Sequence, residues 1–152
     1  MKKTLHLIVV FWMLSVALWG QTLTALMPQG SGTPESPYLI SDLSNLLWLS
    51  QNSSQWGWST YYLQTANIDA SSTSTWNDGK GWVSIGNSNN SFSGIYDGGG
   101  YSISGLTINR PDENNMGLFG RSSGKIANLQ ILNANVKGNE ETGALVGYNS
   151  GT

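Results

Sequence analysis

The side chains able to do acid–base or metal chemistry are few and scattered. Asp97 stands directly before Gly98-Gly99-Gly100. A carboxylate there could ligate a cation or accept from a sugar hydroxyl, but Asp at such a place usually folds back to cap its own turn, and that role is the expectation. Asn77-Asp78-Gly79, with Asp69 nearby, has the flavour of a calcium loop. The ordered oxygen ligands and the closing Glu of such a loop are missing, so no metal site is assigned. Asp112-Glu113 and Glu140-Glu141 are adjacent acids in polar stretches, whereas paired-carboxylate catalysis sets two groups about 5–10 Å apart across a cleft. Arg121 and Lys125 flank Ser122-Ser123-Gly124. With an Asp they would suit polysaccharide cleavage, but no run of acids accompanies them in matching register. Gly98-Gly99-Gly100 lacks the Lys-Ser/Thr and helix of a phosphate loop. No catalytic, cofactor-binding or metal-ligating residue is therefore assigned, and no cofactor.

Aromatic residues are the other chemically useful group. Trp56, Trp58, Trp76 and Trp82 with Tyr61 and Tyr62 crowd a short stretch. Aromatic faces stack on sugar rings, and exposed apolar patches mark binding surfaces. Trp82 and one Tyr are expected to fill the core. At least one of Trp56, Trp58 and Trp76 is expected at the surface, which makes these three the candidate glycan contacts.

The first segment narrows the chemistry further. Lys2 and Lys3 precede an apolar run from Leu5 to Trp19, shorter than the ~20 residues of a spanning helix. This is the pattern of a secretory signal peptide, assigned to residues 1–25 with cleavage between about 17 and 25. The only histidine, His6, lies within it, and the chain has no cysteine. The mature chain would carry neither residue, which removes His-based triads and His- or Cys-based zinc sites. No transmembrane segment is expected in the mature chain.

Composition excludes other classes. Charged residues are 11% of the chain and the net charge is −2. Seven Lys plus Arg are too few for a phosphate-neutralising stripe, so nucleic acid is not an expected partner. Gly, Ser, Asn and Thr together make 66 of the 152 residues, which excludes a helical bundle.

The elements that must position these residues follow from periodicity. Residues 26–37 are rich in Pro, Gly and Ser and are expected to form a flexible leader. Tyr38-Leu39-Ile40 is a strand candidate. Leu43, Leu46, Leu47 and Ser50 fall at helical spacing, which predicts one helix over about 41–51 with Ser41 as its N-cap and Asp42 in the first turn. Beyond Tyr61 short β-rich runs alternate with Gly/Asn/Ser breaks.

Two repeats stand out. Ile103, Leu106 and Ile108 match Ile126, Leu129 and Ile131 at an offset of 23, and Leu63, Ala66 and Ile68 match the first set at 40. Gly117-Leu118-Phe119-Gly120 matches Ala144-Leu145-Val146-Gly147 at 27. The difference between 23 and 27 places four extra residues between Ile131 and Leu145. A strand, a corner, a strand and a Gly turn, repeated, suit one coil of a right-handed parallel β-helix whose stacked coils share one apolar core. The expected fold is an all-β solenoid over 38–152, closed by the helix at its first coil. Ile103 is expected to sit over Ile126, and residues 70–100 form either a full coil or an insertion.

The same residues resemble a known pattern. Pro37-Tyr38-Leu39-Ile40 with the Leu-rich helix is similar to the start of many exported bacterial β-helix proteins. Trp82–Gly86 and Phe92–Ile103 resemble the stretch leading into GLUG repeats, and the Gly117–Gly120 and Gly143–Tyr148 stretches resemble the GLUG motifs themselves. The resemblance implies a secreted or cell-surface, adhesin-like, non-catalytic region. It also implies further β-helix or an anchoring domain C-terminal to Thr152, so that this chain is the N-terminal piece of a longer protein. The expected partner is a host or environmental glycan or protein. A β-helix enzyme or binding module acting on polysaccharide is the alternative.

Overall fold

The computed structural model describes residues 23–152; the expected signal peptide lies almost wholly outside the described residues. Among them the chain is all-β with a single α-helix. In chain order the elements are β1 (Tyr38–Ile40), α1 (Leu43–Gln51), β2 (Tyr61–Gln64), β3 (Ile68–Asp69), β4 (Ile95–Asp97), β5 (Ser102–Ser104), β6 (Thr107–Asn109), β7 (Phe119–Ser122), β8 (Lys125–Ala127), β9 (Gln130–Leu132), β10 (Asn135–Lys137) and β11 (Val146–Asn149).

All strand pairs are parallel, and no pair is adjacent in sequence except across α1. The chain runs β4, β5, β6, β7 and then returns as β8, β9, β10, β11, each strand beside its counterpart one pass earlier. The register spacings are 30 (Ile95 to Lys125), 28 (Ile103 to Ile131), 28 (Ile108 to Val136) and 27 (Phe119 to Val146). The 27-residue glycine repeat is thus the true register. The 23-residue repeat is not: Ile103 lies beside Ile131, and Ile126 beside Tyr96. The 40-residue match fails in the same way, since Ile68 lies beside Ile103. The extra four residues inferred between Ile131 and Leu145 disappear with that alignment.

Residues 70–94 complete the pass begun by β2 and β3, rather than forming a separate coil. Ala70 N–H donates to the Ser104 carbonyl (2.7 Å) and Thr73 Oγ1 accepts from Thr107 N–H (2.9 Å). Ile85 then bridges Phe119, and Phe92 bridges Ser122, both parallel. A short helical turn, Ser71–Thr75, therefore stands where the next pass has β6.

The core is a set of columns built by the alternation of each strand. Tyr38, Tyr62 and Tyr96 neighbour one another, with ring centroids 5.7 and 6.3 Å apart. Phe92 and Phe119 form a second column at 4.9 Å. Buried Gln64 is satisfied: its Nε2 donates to the Ala66 and Ser102 carbonyls and its Oε1 accepts from the Tyr96 hydroxyl (3.0 Å). The Tyr62 hydroxyl bonds the Gln55 carbonyl. Burial pushes both phenols above the ordinary tyrosine range, as expected where the charged form loses water.

Enclosure varies along the stack. Ile103, Leu106 and Ile108 are fully buried, whereas Ile126, Leu129 and Ile131 on the last pass are only half-buried. Ile103, Leu106 and Ile108 lie in the core and Ile126, Leu129 and Ile131 pack against it, but the two sets are not one pair of matched triplets.

At the other end α1 follows β1. Its Leu43, Leu46 and Leu49 join the core, and Trp48 packs edge-on against Tyr38 at 5.3 Å. The N-cap is Asp42, one residue later than expected: its Oδ1 accepts from Asn45 N–H (2.9 Å). Ser41 instead donates its N–H and Oγ–H to Asn45 Oδ1. Residues 26–37 are not a free leader. Leu39 N–H donates to the Gln29 carbonyl (2.8 Å), Tyr61 N–H to that of Gly32 (2.9 Å), and Leu26 N–H to that of Ser44 (3.1 Å). A segment without apolar periodicity is held here by its backbone. No helix among the described residues is long and apolar enough to cross a membrane.

Candidate functional site

The outward face of the β1-β2-β4-β8 sheet holds the most promising group. Because Tyr62 and Tyr96 point inward, their neighbours Tyr61, Leu63, Ile95 and Asp97 point outward. Register sets Tyr61 beside Ile95, and Ile95 beside Lys125. Leu63 sits between Leu39 and Asp97. Trp58 stands in the turn leading into β2, where Thr60 N–H donates to the Gly57 carbonyl (3.1 Å), and it is 76% exposed.

The three candidate glycan contacts therefore part company. Trp58 is open. Trp56 is buried, and its indole N–H donates to the Leu49 carbonyl (2.8 Å). This corrects its reading as a contact residue: it closes the turn after α1. Trp76 is half-buried and tilts against Trp82 at 6.1 Å. Trp82 is fully buried, with its N–H on the Leu118 carbonyl (3.2 Å).

Asp97 caps its turn and also ties two passes together. Its Oδ1 accepts from Gly99 N–H and from Asn128 Nδ2, both at 2.9 Å. The Gly99 N–H first, then Asn128, holds the carboxyl below the usual carboxylate range, and Lys125 adds to this. No hydrogen-bond partner is found for Oδ2 among the described residues. Asp97 lines an open depression together with Gly99, Gly100, Asn128, Leu129 and Gln130.

This geometry fixes a pH response. Asp97 titrates lower in the folded chain than in the unfolded one. Its stabilising contribution is therefore complete above the unfolded carboxylate pKa of about 3.9, and is lost as pH falls through the lower folded value. Asp69, held down by Ser71 N–H (2.9 Å), acts in the same direction. Thermal midpoints measured from about pH 6 down to pH 2 are expected to fall on acidification. In Asp97→Asn, whose amide oxygen can keep both hydrogen bonds, that fall is expected to be shallower.

Other polar residues are already engaged. Arg110 pairs with Glu113 (2.9 Å) and donates from Nε to the Trp82 carbonyl (3.1 Å). Arg121 lies over the Tyr148 ring, 4.3 Å from its centroid. Asn77 Nδ2 donates to the Gly81 carbonyl (2.7 Å). Among the described residues no group of three or more acidic, His or Cys side chains is placed to hold a metal. The sequence reading missed Tyr61, Leu63, Ile95 and Lys125 as members of one surface. Their alternation with buried neighbours signalled it, but only the register joins separate strands into a face.

Two known proteins are similar to this chain. Halomucin of Haloquadratum walsbyi is 41% identical over 128 residues, covering 82% of this chain and 1% of halomucin. A protein of Evansella cellulosilytica, named as a Gly-rich membrane protein, is 36% identical over 144 residues, covering 87% of this chain and 15% of that protein. The chain thus spans a small fraction of the relatives it matches. No family model matches the chain, and no solved structure does.

Proposed function

We propose that this chain is a right-handed parallel β-solenoid of the GLUG-motif kind, forming a non-catalytic stalk or interaction surface of a secreted or cell-surface protein. The observation that carries the reading is the return of the chain through the same sheets in the same order, each strand parallel to its counterpart. Right-handedness is the general preference of parallel crossovers. The pairing of Phe119 with Val146 agrees with the two GLUG-like stretches being equivalent turns of successive coils.

Such a stack presents flat outward faces in fixed register, which suits presentation and contact. The structural use of several of its charged groups favours a non-catalytic role. Asp69 and Asp97 cap turns, Glu113 is paired with Arg110, and Arg121 stacks on Tyr148. The membrane-protein name of one relative agrees with a place at the cell boundary. Protease shaving of intact cells is expected to release peptides of this chain, and the purified protein is expected to leave soluble polysaccharides uncleaved. Robust cleavage of a polysaccharide, or protection of the chain in intact cells with release only after lysis, would overturn the reading.

A further inference from the structure

The outward face described above mixes rings, apolar side chains and a carboxylate oxygen in a way that specifies a ligand. Tyr61, Leu63, Ile95 and Asp97 occupy two neighbouring strands of one sheet. Adjacent strands lie about 4.8 Å apart and alternate residues about 6.6 Å apart, so Tyr61 and Asp97 stand roughly 8 Å from each other. Trp58 adds an open indole in the turn three residues before Tyr61, and Lys125 continues the Tyr61–Ile95 column.

We propose that this face binds a neutral pyranose chain, with sugar C–H faces on Trp58 and Tyr61 and a sugar hydroxyl donating to Asp97 Oδ2. A pyranose ring offers an apolar face and a hydroxyl rim, and this surface offers the complement of both. Oδ1 is consumed by Gly99 and Asn128, Oδ2 has no partner among the described residues, and Asp97 lines the depression. The negative Asp97 and positive Lys125 offset one another, so the face has no net charge with which to select an acidic glycan. A folded protein partner needs about 800 Å² of complementary surface on each side. One open indole amid half-buried neighbours does not supply that. The proposal names the ligand of the surface put forward above and rests on the stacked arrangement.

The test is a microarray of neutral and acidic glycans probed with the purified chain, followed by titration calorimetry on the neutral oligosaccharides that bind. The natural protein is expected to bind neutral pyranose oligosaccharides with little dependence on salt. Trp58→Ala and Tyr61→Ala are each expected to weaken binding by about tenfold, the scale of a lost aromatic contact. Circular dichroism and thermal melts should show Trp58→Ala folded as before, because that ring is 76% exposed. Asp97→Asn keeps an acceptor for the turn and is expected to weaken binding by a smaller factor. No binding to any neutral glycan, binding to acidic glycans alone, or unchanged affinity in Trp58→Ala would overturn the proposal. Each of these results leaves the cell-shaving and cleavage tests of the non-catalytic reading standing.

Discussion

Replacing Phe119 by alanine is expected to remove about 3–5 kcal/mol of folding stability, the range for emptying a buried aromatic site. Phe119 is fully buried. Its ring lies 4.9 Å from that of Phe92 and 5.4 Å from that of Tyr96, so truncation leaves facing rings without a partner on one side. Val146 is its neighbour in register on the following pass, yet is only half-buried. Val146→Ala removes fewer carbons from a partly wet place and is expected to cost about 1 kcal/mol. The same column should thus give a severalfold difference between its middle and its last member. Urea denaturation with linear extrapolation reads both values. A domain's whole stability is only about 5–15 kcal/mol, so Phe119→Leu provides a milder variant of the same site. Equal losses at Phe119 and Val146 would mean that the last pass is as enclosed as the one before it.

That contrast depends on a register that apolar patterning alone reads wrongly, and the reason is physical. Within one pass, strand plus corner takes five residues: Ile126, Ile131 and Val136 recur at that spacing, as do Ile103 and Ile108. The pattern apolar-x-x-apolar-x-apolar therefore matches itself when slid by one edge. The apparent 23 is the true 28 less one edge, and the apparent 40 is the true 35 plus one. The Gly117–Gly120 stretch occurs once per pass, has no copy at the next corner, and so reports 27 correctly. Ile131, Ala134 and Val136 are the real counterparts of Ile103, Leu106 and Ile108.

The remaining differences have a common cause. Leu43, Leu46, Leu47 and Ser50 at helical spacing mark the helix; of these the fold buries Leu43, Leu46 and Ser50, with Leu49 on the inner face in place of Leu47. Its N-cap was off by one because Ser41 and Asp42 are both good caps, and the choice is made by where Asn45 lies. The ordering of residues 26–37 is carried by backbone hydrogen bonds to Leu39 and Tyr61, which leave no mark on hydrophobic periodicity. Trp56 and Trp58 sit two residues apart in the same kind of sequence. The short helical turn after α1 buries one and opens the other. Local pattern named the elements, whereas the candidate face, which joins β2, β4 and β8, exists only once the passes are aligned.

The glycines provide the second large effect, and here the sign itself is diagnostic. Gly94, Gly124 and Gly151 form one column: a Cβ on Gly124 would lie 2.1 Å from the Gly94 carbonyl oxygen, and one on Gly151 would lie 2.0 Å from that of Gly124. Gly86, Gly120 and Gly147 form another, with corresponding distances of 2.5 Å for Gly120 and 2.7 Å for Gly147. Gly124 has no positive φ, so its requirement is the close approach of two passes rather than an unusual backbone angle. Nor can the obstructing oxygens step aside. The Gly94 carbonyl accepts from Lys125 N–H and the Gly124 carbonyl from Thr152 N–H, both at 3.0 Å. Gly124→Ala must therefore part the passes or break that bond, and is expected to cost about 1–3 kcal/mol or more, as overpacking does. Gly57 supplies the opposite case, for a Cβ there meets nothing within 4 Å. Gly57→Ala is expected to stabilise by about 0.4–1 kcal/mol, because alanine restricts the unfolded chain without straining the folded one. Denaturation midpoints of the two variants should move in opposite directions. A Gly124→Ala protein as stable as the natural chain would show that neighbouring passes do not approach as closely as these columns require.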